Sequence, residues 1–136
     1  MPYKIYLIRH ANATAEPIIL GSTDRPLTPK GEEQAAECGR LLRAFPVDAV
    51  FSSPLKRAWQ TAKAAYPDKT PILIDGLREY NFGELEEKSC LQFFNEDKSF
   101  DLERVIAAAG KAKGAEKQKE FLDRIFRHFQ RSSRAV

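Results

Sequence analysis

Short apolar runs alternate along the chain with longer stretches of helical spacing. Residues 3–8 form an apolar, aromatic and β-branched run that ends at Arg9 and His10. Two similar runs occupy residues 47–51 and 71–75. Runs of this length and composition predict buried strands. The pattern therefore predicts three strands, with Arg9 and His10 at the carboxyl end of the first.

Helical spacing fills the intervals between these runs. Thr28 and Pro29 have the residue types of an N-cap and a first helical position, which predicts a helix to about residue 44 with Ala35 and Leu42 facing a core. Ser53 and Pro54 repeat the signal before a second helix. Its predicted apolar face contains Leu55, Ala58, Trp59, Ala62, Ala65 and Tyr66.

The chain is less regular from residue 76 onward. Residues 76–100 are a long, polar and partly aromatic excursion. A final helix is predicted over residues 116–130, and its inward face would hold Phe121, Leu122, Ile125, Phe126 and Phe129.

The order strand, helix, strand, helix, strand predicts an α/β fold with a mostly parallel, layered sheet. Two right-handed crossovers commonly give the spatial order 3-2-1, and ligands then bind beyond the carboxyl ends of the strands. Residues 3–8 would be central in a larger sheet. This position favours Arg9 and His10 as functional residues.

Composition narrows the class of protein. The 136 residues, 43% of them hydrophobic, predict a single domain over residues 1–136. No apolar run is long enough for a membrane span. The two cysteines, Cys38 and Cys90, fit neither a disulfide framework nor a zinc site, so a cytoplasmic location is expected.

Charge is concentrated at the C-terminal end. Residues 111–136 hold eight Lys or Arg against three acids, within a net charge of +3. A basic tail can attract polyanions, but the same residues occur on solvated helix faces, so a nucleic-acid partner is not expected.

His10 is the leading candidate for chemistry. Neutral imidazole can attack phosphorus and form a covalent intermediate, provided that cations bind the phosphoryl oxygens. Arg9 is adjacent, and Arg57 falls in the first turn of the second helix, whose N–H groups also favour an anion. Glu79 follows the third strand, where a carboxylic acid could protonate a leaving alkoxide. The alternative is that all four side chains are merely solvated.

The sequence lacks the motifs of several other kinds of functional site. The chain has no glycine-rich dinucleotide motif, no phosphate loop and no serine elbow. His10 and His128 are its two histidines, so no His-rich metal site is expected, and His128 fits the flank of the final helix better than a catalytic position.

Four ordered segments resemble the histidine phosphatase superfamily, which includes phosphoglycerate mutases and α-ribazole phosphatases. They are the strand that ends at Arg9 and His10, the loop and helix start over residues 24–35, the strand and arginine helix over residues 51–62, and residues 77–83 around Glu79. Ala11, Asn12, Leu85 and Glu87 depart from the usual pattern.

The resemblance implies a three-layer α/β fold with a mostly parallel sheet, like that of phosphoglycerate mutases, and a set of residue roles. His10 would be phosphorylated, Glu79 would be the general acid, and Arg9, Arg57 and Asn12 would bind the phosphoryl group. No metal or cofactor is implied. The expected activity is hydrolysis of small phosphomonoesters, such as α-ribazole phosphate or a phosphosugar, and the expected partner is a small phosphorylated metabolite.

The resemblance also implies a second catalytic histidine on a later strand, which has no counterpart in this chain. We therefore expect a domain that is incomplete at its C-terminus and lacks its last strand or strands. The alternatives are a remnant that binds phosphorylated ligands or proteins, and a phosphoglycerate-type mutase. A bare side of the first strand would also favour a homodimer.

Overall fold

The computed structural model describes the backbone of residues 4–132 and the side chains of residues 4–128. This part of the chain contains four α-helices and a two-stranded parallel sheet. The helices are α1 (Pro29–Leu42), α2 (Lys56–Ala65), α3 (Leu102–Ala109) and α4 (Gln118–Ser132), and the strands are β1 (Phe51–Ser52) and β2 (Ile72–Leu73). The predicted α/β class is confirmed.

The two strands pair in the register Phe51 to Ile72 and Ser52 to Leu73. The N–H of Ile72 donates to the Val50 carbonyl at 2.8 Å, and that of Ile74 donates to the Ser52 carbonyl at 2.9 Å. The second and third predicted strands are therefore neighbours, as expected, although each is shorter than predicted.

The prediction of a buried strand over residues 3–8 is wrong for the residues that the structure describes. Residues 4–8 have no strand assignment, and Ile5 and Leu7 are 68% and 83% exposed. A strand is buried only when neighbours pair with its backbone and a layer covers its side chains. No strand within residues 4–132 pairs with this segment. Tyr3 lies outside the described residues.

Helix α1 begins as predicted. The N–H of Gly31 donates to Thr28 Oγ1 at 3.1 Å, and Pro29 is the first helical residue. Ala35 is buried, as predicted, and α1 packs on α2. Gly39 lies directly against the Ala64 carbonyl, so a side chain there would separate the two helices.

Helix α2 differs from the prediction in its start and in its inward face. It begins at Lys56, and Ser53 is not its N-cap. Asp24, from the preceding loop, accepts from the Lys56 N–H at 2.7 Å instead. This carboxylate therefore lies where an anion at the helix start was expected.

The buried row of α2 is Arg57, Thr61 and Ala65, whereas Trp59 of the predicted apolar face is 37% exposed. Arg57 can be buried because loop carbonyls accept from it, and Thr61 because its hydroxyl donates within the helix and accepts from the Ala11 N–H.

Residues 76–100 are irregular, as predicted, with 3-10 turns at Asp75–Leu77, Gly83–Leu85 and Leu91–Phe93. Helix α3 was not predicted, although Asp101 caps it by accepting from the Arg104 N–H at 3.0 Å. Val105 of α3 joins a core with Ile19 and Phe93, to which further side chains are packed: Phe82, Leu85, Cys90 and Ala108.

Helix α4 confirms the final predicted helix and packs on the Asp75–Leu77 turn. Phe121 and Ile125 are half-buried, whereas Leu122 and Phe126 are exposed, so only part of the predicted inward face is correct. The Phe129 side chain lies outside the described side chains. None of the helices described is long and apolar enough to cross a membrane.

Candidate functional site

The structure brings the five predicted site residues to one open cavity of about 650 Å³. They are Arg9, His10, Asn12, Arg57 and Glu79. The segment 9–14, the start of α2 and the segment after β2 supply them. The rest of the lining is largely apolar and includes Ile18, Ile19, Leu20, Phe82, Phe100 and Leu102.

The hydrogen bonds of His10 define its tautomer. Nδ1 lies 2.7 Å from the Ala11 carbonyl, and Nε2 lies 3.3 Å from Arg57 Nε. A carbonyl only accepts and a guanidinium N–H only donates. Nδ1 therefore carries the proton, and the lone pair of Nε2 faces Arg57 Nε.

The surroundings of His10 favour the neutral ring. Burial lowers the pKa of His10 from its ordinary value of 6.5, and the charges of Arg57 and Arg9 lower it further. The Nδ1 bond to the Ala11 carbonyl and the charge of Glu79 oppose these effects. The net direction is downward, so the imidazole is a base and a nucleophile at neutral pH.

Arg57 is 2% exposed and is held by the loop that precedes α1. Its Nη1 donates to the Thr23 carbonyl at 2.7 Å, and its Nη2 donates to the Gly21 carbonyl at 2.6 Å. These bonds leave Nε directed at His10. The guanidinium is therefore oriented before any ligand binds.

Three carboxylates accompany the buried Arg57. Burial lowers the pKa of Arg57, and the charges of Glu79, Asp24 and Glu86 oppose that shift. An arginine remains protonated in proteins under such conditions. The site therefore keeps a fixed positive charge beside Nε2, which suits a phosphoryl group.

Asn12 is tied into the same framework. Its Oδ1 accepts from Thr28 Oγ1 at 2.6 Å, and its Nδ2 donates to the Thr14 carbonyl at 2.9 Å. The amide group has two hydrogens. One of them is used in this bond, which leaves the other for a ligand.

Glu79 reaches the cavity from an exposed position. Its Oε1 accepts from the Tyr80 N–H at 2.9 Å, which fixes the carboxylate against its own backbone. Arg9 is also exposed and lines the cavity. Both side chains are therefore open to solvent at the cavity.

Sequence reasoning missed the residues that support this site. Thr61 Oγ1 accepts from the Ala11 N–H at 3.0 Å and donates to the Arg57 carbonyl at 2.7 Å. Gln34 Oε1 accepts from the Asn12 N–H at 3.0 Å and also lines the cavity. The sequence signal for Thr61 was its spacing of four residues from Arg57, which puts both on one face of the helix.

His128 does not line this cavity. Its Nδ1 lies 2.7 Å from the Arg124 carbonyl within α4, and its ring packs on Gly76. The predicted helix-flank position is therefore confirmed. Across residues 4–132, no group of three His, Cys, Asp or Glu side chains is placed to hold a metal ion.

The family and the curated protein to which this chain is similar agree with each other. Residues 5–135 match the model of the histidine phosphatase superfamily, branch 1. The chain is 33% identical over 127 residues to the "Probable phosphoglycerate mutase GpmB" of Salmonella choleraesuis (strain SC-B67), covering 90% of this chain and 59% of the relative. The chain thus spans less than two thirds of the length of that curated relative.

Solved structures agree. The crystal structure of phosphoglycerate mutase from Thermus thermophilus is 34% identical with a TM-score of 0.68, covering 90% of this chain and 68% of that one. A "putative alpha-ribazole-5'-P phosphatase" from Escherichia coli str. K-12 substr. MG1655 is 29% identical with a TM-score of 0.74, covering 93% and 65%. With its fold and the match over residues 5–135, the chain belongs to the histidine phosphatase superfamily.

Proposed function

We propose that this chain hydrolyses small phosphomonoesters through a phosphohistidine formed at His10. The observation that carries the proposal is the environment of His10, which lines the cavity and whose Nε2 accepts from Nε of the buried Arg57 guanidinium at 3.3 Å. A neutral nucleophile beside a fixed cation is the arrangement that phosphoryl transfer requires.

The first step forms a bond from Nε2 to phosphorus and breaks the ester P–O bond. The leaving alkoxide takes a proton from the Glu79 carboxylic acid. The Nδ1–H bond to the Ala11 carbonyl stabilises the positive charge that the ring acquires. Arg57 Nε–H transfers its hydrogen bond from Nε2 to a phosphoryl oxygen, and Arg9 and Asn12 bind the others.

The second step restores the enzyme. Water attacks phosphorus and gives a proton to the Glu79 carboxylate, while the N–P bond breaks and its electron pair returns to Nε2. The products are the alcohol, already released, and inorganic phosphate. None of these transfers needs a metal or a cofactor, because arginine supplies the positive charge.

The apolar part of the cavity bears on the substrate class. Phe82, Phe100 and Leu102 line it beside the polar groups around His10. These apolar side chains suit a phosphate ester whose alcohol part is aromatic or apolar. This favours an α-ribazole phosphate-like substrate over a phosphosugar, in line with the name of the relative from Escherichia coli.

A phosphoglycerate-type mutase is the second candidate, because the Salmonella and Thermus relatives carry that name. The two activities differ in the acceptor. A phosphatase passes the phosphoryl group of His10 to water, and a mutase passes it to a second hydroxyl of phosphoglycerate. Release of inorganic phosphate, compared with isomerised phosphoglycerate, separates them.

The two histidines of the chain offer a matched test of His10. We expect incubation with a radiolabelled aryl phosphate to give an acid-labile, base-stable label on the unaltered chain and on His128→Asn. His10→Asn should remain unlabelled, because amide nitrogen is no nucleophile. A label that persists in His10→Asn would contradict the proposal.

A further inference from the structure

Glu86 is a half-buried carboxylate with four hydrogen-bond donors around it. Its Oε1 accepts from Ser22 N–H at 2.7 Å, Ser22 Oγ at 2.8 Å and Phe82 N–H at 3.1 Å. Its Oε2 accepts from Thr23 Oγ1 at 2.7 Å. A carboxylate has about four lone-pair positions. Both oxygens of Glu86 therefore accept from the surrounding backbone and hydroxyl groups, three donors at Oε1 and one at Oε2.

Three of these donors, those of Ser22 and Thr23, belong to the loop that holds Arg57, residues 21–23. The Gly21 and Thr23 carbonyls accept from the two terminal nitrogens of Arg57, at 2.6 and 2.7 Å. Gly21 has a φ of +51°, and a Cβ built there would lie 2.5 Å from Glu86 Oε1. The loop is thus in close contact with the carboxylate on one side and with the guanidinium on the other.

A continuous set of contacts then leads to the nucleophile. Glu86 binds the 21–23 loop, the loop binds Arg57, and Arg57 Nε donates to His10 Nε2 at 3.3 Å. Each contact is a hydrogen bond that involves a charged group, and the bonds from Ser22 N–H to Glu86 and from Arg57 to the Gly21 carbonyl, at 2.7 and 2.6 Å, have the short length of the stronger kind. Removal of Glu86 would leave the half-buried Ser22 and Thr23 donors without their acceptor, so the loop would rearrange.

We infer that Glu86 is a positioning residue, which fixes the Gly21 and Thr23 carbonyls and so holds the Arg57 guanidinium on His10 Nε2. The catalytic consequence rests on the proposed function of His10. The placement of Arg57 is a property of the fold and is measured separately. A displaced cation near the reacting atoms costs about a hundredfold in rate.

Nuclear magnetic resonance of the Arg57 Nε–H and the His10 ring nitrogens reports this placement without any turnover. The variants are Glu86→Ala, Glu86→Gln and Thr23→Val. The control is Glu87→Ala, which removes an adjacent carboxylate bound to Arg25 at the surface. The rate of His10 labelling by the aryl phosphate is measured in parallel, at saturating and limiting substrate.

We expect Glu86→Ala to shift the Arg57 Nε–H signal, speed its hydrogen exchange and slow His10 labelling about tenfold to a hundredfold, mainly in the saturated rate. Glu86→Gln should recover part of both effects because its amide can still bond the loop. Thr23→Val should give a smaller effect of the same kind, and Glu87→Ala none.

An unchanged Arg57 signal and an unchanged labelling rate in folded Glu86→Ala protein would overturn the inference. If Glu86→Ala does not fold, unchanged Arg57 signals in both Glu86→Gln and Thr23→Val would do so. If the unaltered chain never labels His10, the proposed function fails, and the Arg57 signals still decide the role of Glu86.

Discussion

At the scale of single residues, the position of Glu79 predicts how its contribution to the rate depends on the leaving group. The carboxylate lines the His10 cavity from an exposed segment and is held by the Tyr80 N–H. An acid in this place matters most when the leaving group is a strongly basic alkoxide. Its contribution should therefore depend on the substrate.

We expect Glu79→Gln to slow hydrolysis of alkyl phosphates about a hundredfold and to spare p-nitrophenyl phosphate, whose leaving group needs little protonation. Steady-state rates on both substrates test this. Glu84→Gln, at an exposed acid of the same segment, is the control and should leave both rates unchanged. Equal losses on the two substrates would point to folding or binding instead.

The residue scale also separates what sequence could predict from what it could not. His10 and Arg57 were predicted because few side chains can act as a nucleophile toward phosphorus or bind a phosphoryl group, and because each of the two follows a predicted strand. Thr61 and Glu86 were missed because they support the site through hydrogen bonds to residues 50 and 64 positions away in the chain. No local pattern encodes such a hydrogen bond.

At the scale of elements, Arg124 ties helix α4 to the segment that carries Glu79. Its Nη1 donates to the Gly76 and Arg78 carbonyls at 2.8 and 2.7 Å, and its Nη2 donates to the Glu79 carbonyl at 3.1 Å. Glu116 completes the arrangement by accepting from Arg124 Nε at 2.6 Å. The ion pair therefore orders both the helix and the segment.

The pair has a pH dependence with a definite sign. The hydrogen bond from Arg124 is the main reason that the pKa of Glu116 lies below its ordinary value of 4.5. A carboxyl with a lowered folded-state pKa adds stability above its unfolded-state pKa, and this is lost as the pH falls through the folded-state pKa.

We expect Glu116→Gln to lower the free energy of unfolding by about 2 kcal/mol at pH 7. The difference from the unaltered chain should shrink in acid below the ordinary carboxyl range. Urea unfolding of both proteins at pH 7 and in acid measures this difference in the free energy of unfolding. Asp75→Asn, which breaks the exposed pair with Arg78, should cost less than about 1 kcal/mol. A Glu116→Gln effect independent of pH would contradict this account.

At the scale of the whole molecule, the segment before His10 presents apolar side chains to solvent. Ile5 and Leu7 are 68% and 83% exposed, and Ile72 and Leu73 of β2 are each more than half exposed. Exposed apolar patches mark surfaces that contact other chains. We propose that a second copy of the chain covers residues 5–8.

Light scattering over a range of concentrations tests this. We expect a mass near twice that of one chain for the unaltered protein and a shift toward the monomer in Leu7→Lys. Phe126→Lys, which changes a side chain of similar exposure on α4, is the control and should leave the mass unchanged. A monodisperse monomer of the unaltered chain at all concentrations would contradict the proposal.

The sequence by itself determined the α/β class, the pairing of the second and third strands, the cap of α1 at Thr28 and the candidates His10, Arg57 and Glu79. The elements depend on the local spacing of residue types, and the candidates depend on the few side chains that can attack phosphorus, bind a phosphoryl group or donate a proton. Tertiary structure alone decided the exposure of residues 4–8, the start of α2 at Lys56 under Asp24, and the inward row of Arg57 and Thr61. The physical reason is that burial and hydrogen bonding depend on partners brought from distant parts of the chain, and a polar side chain is buried wherever such partners satisfy it.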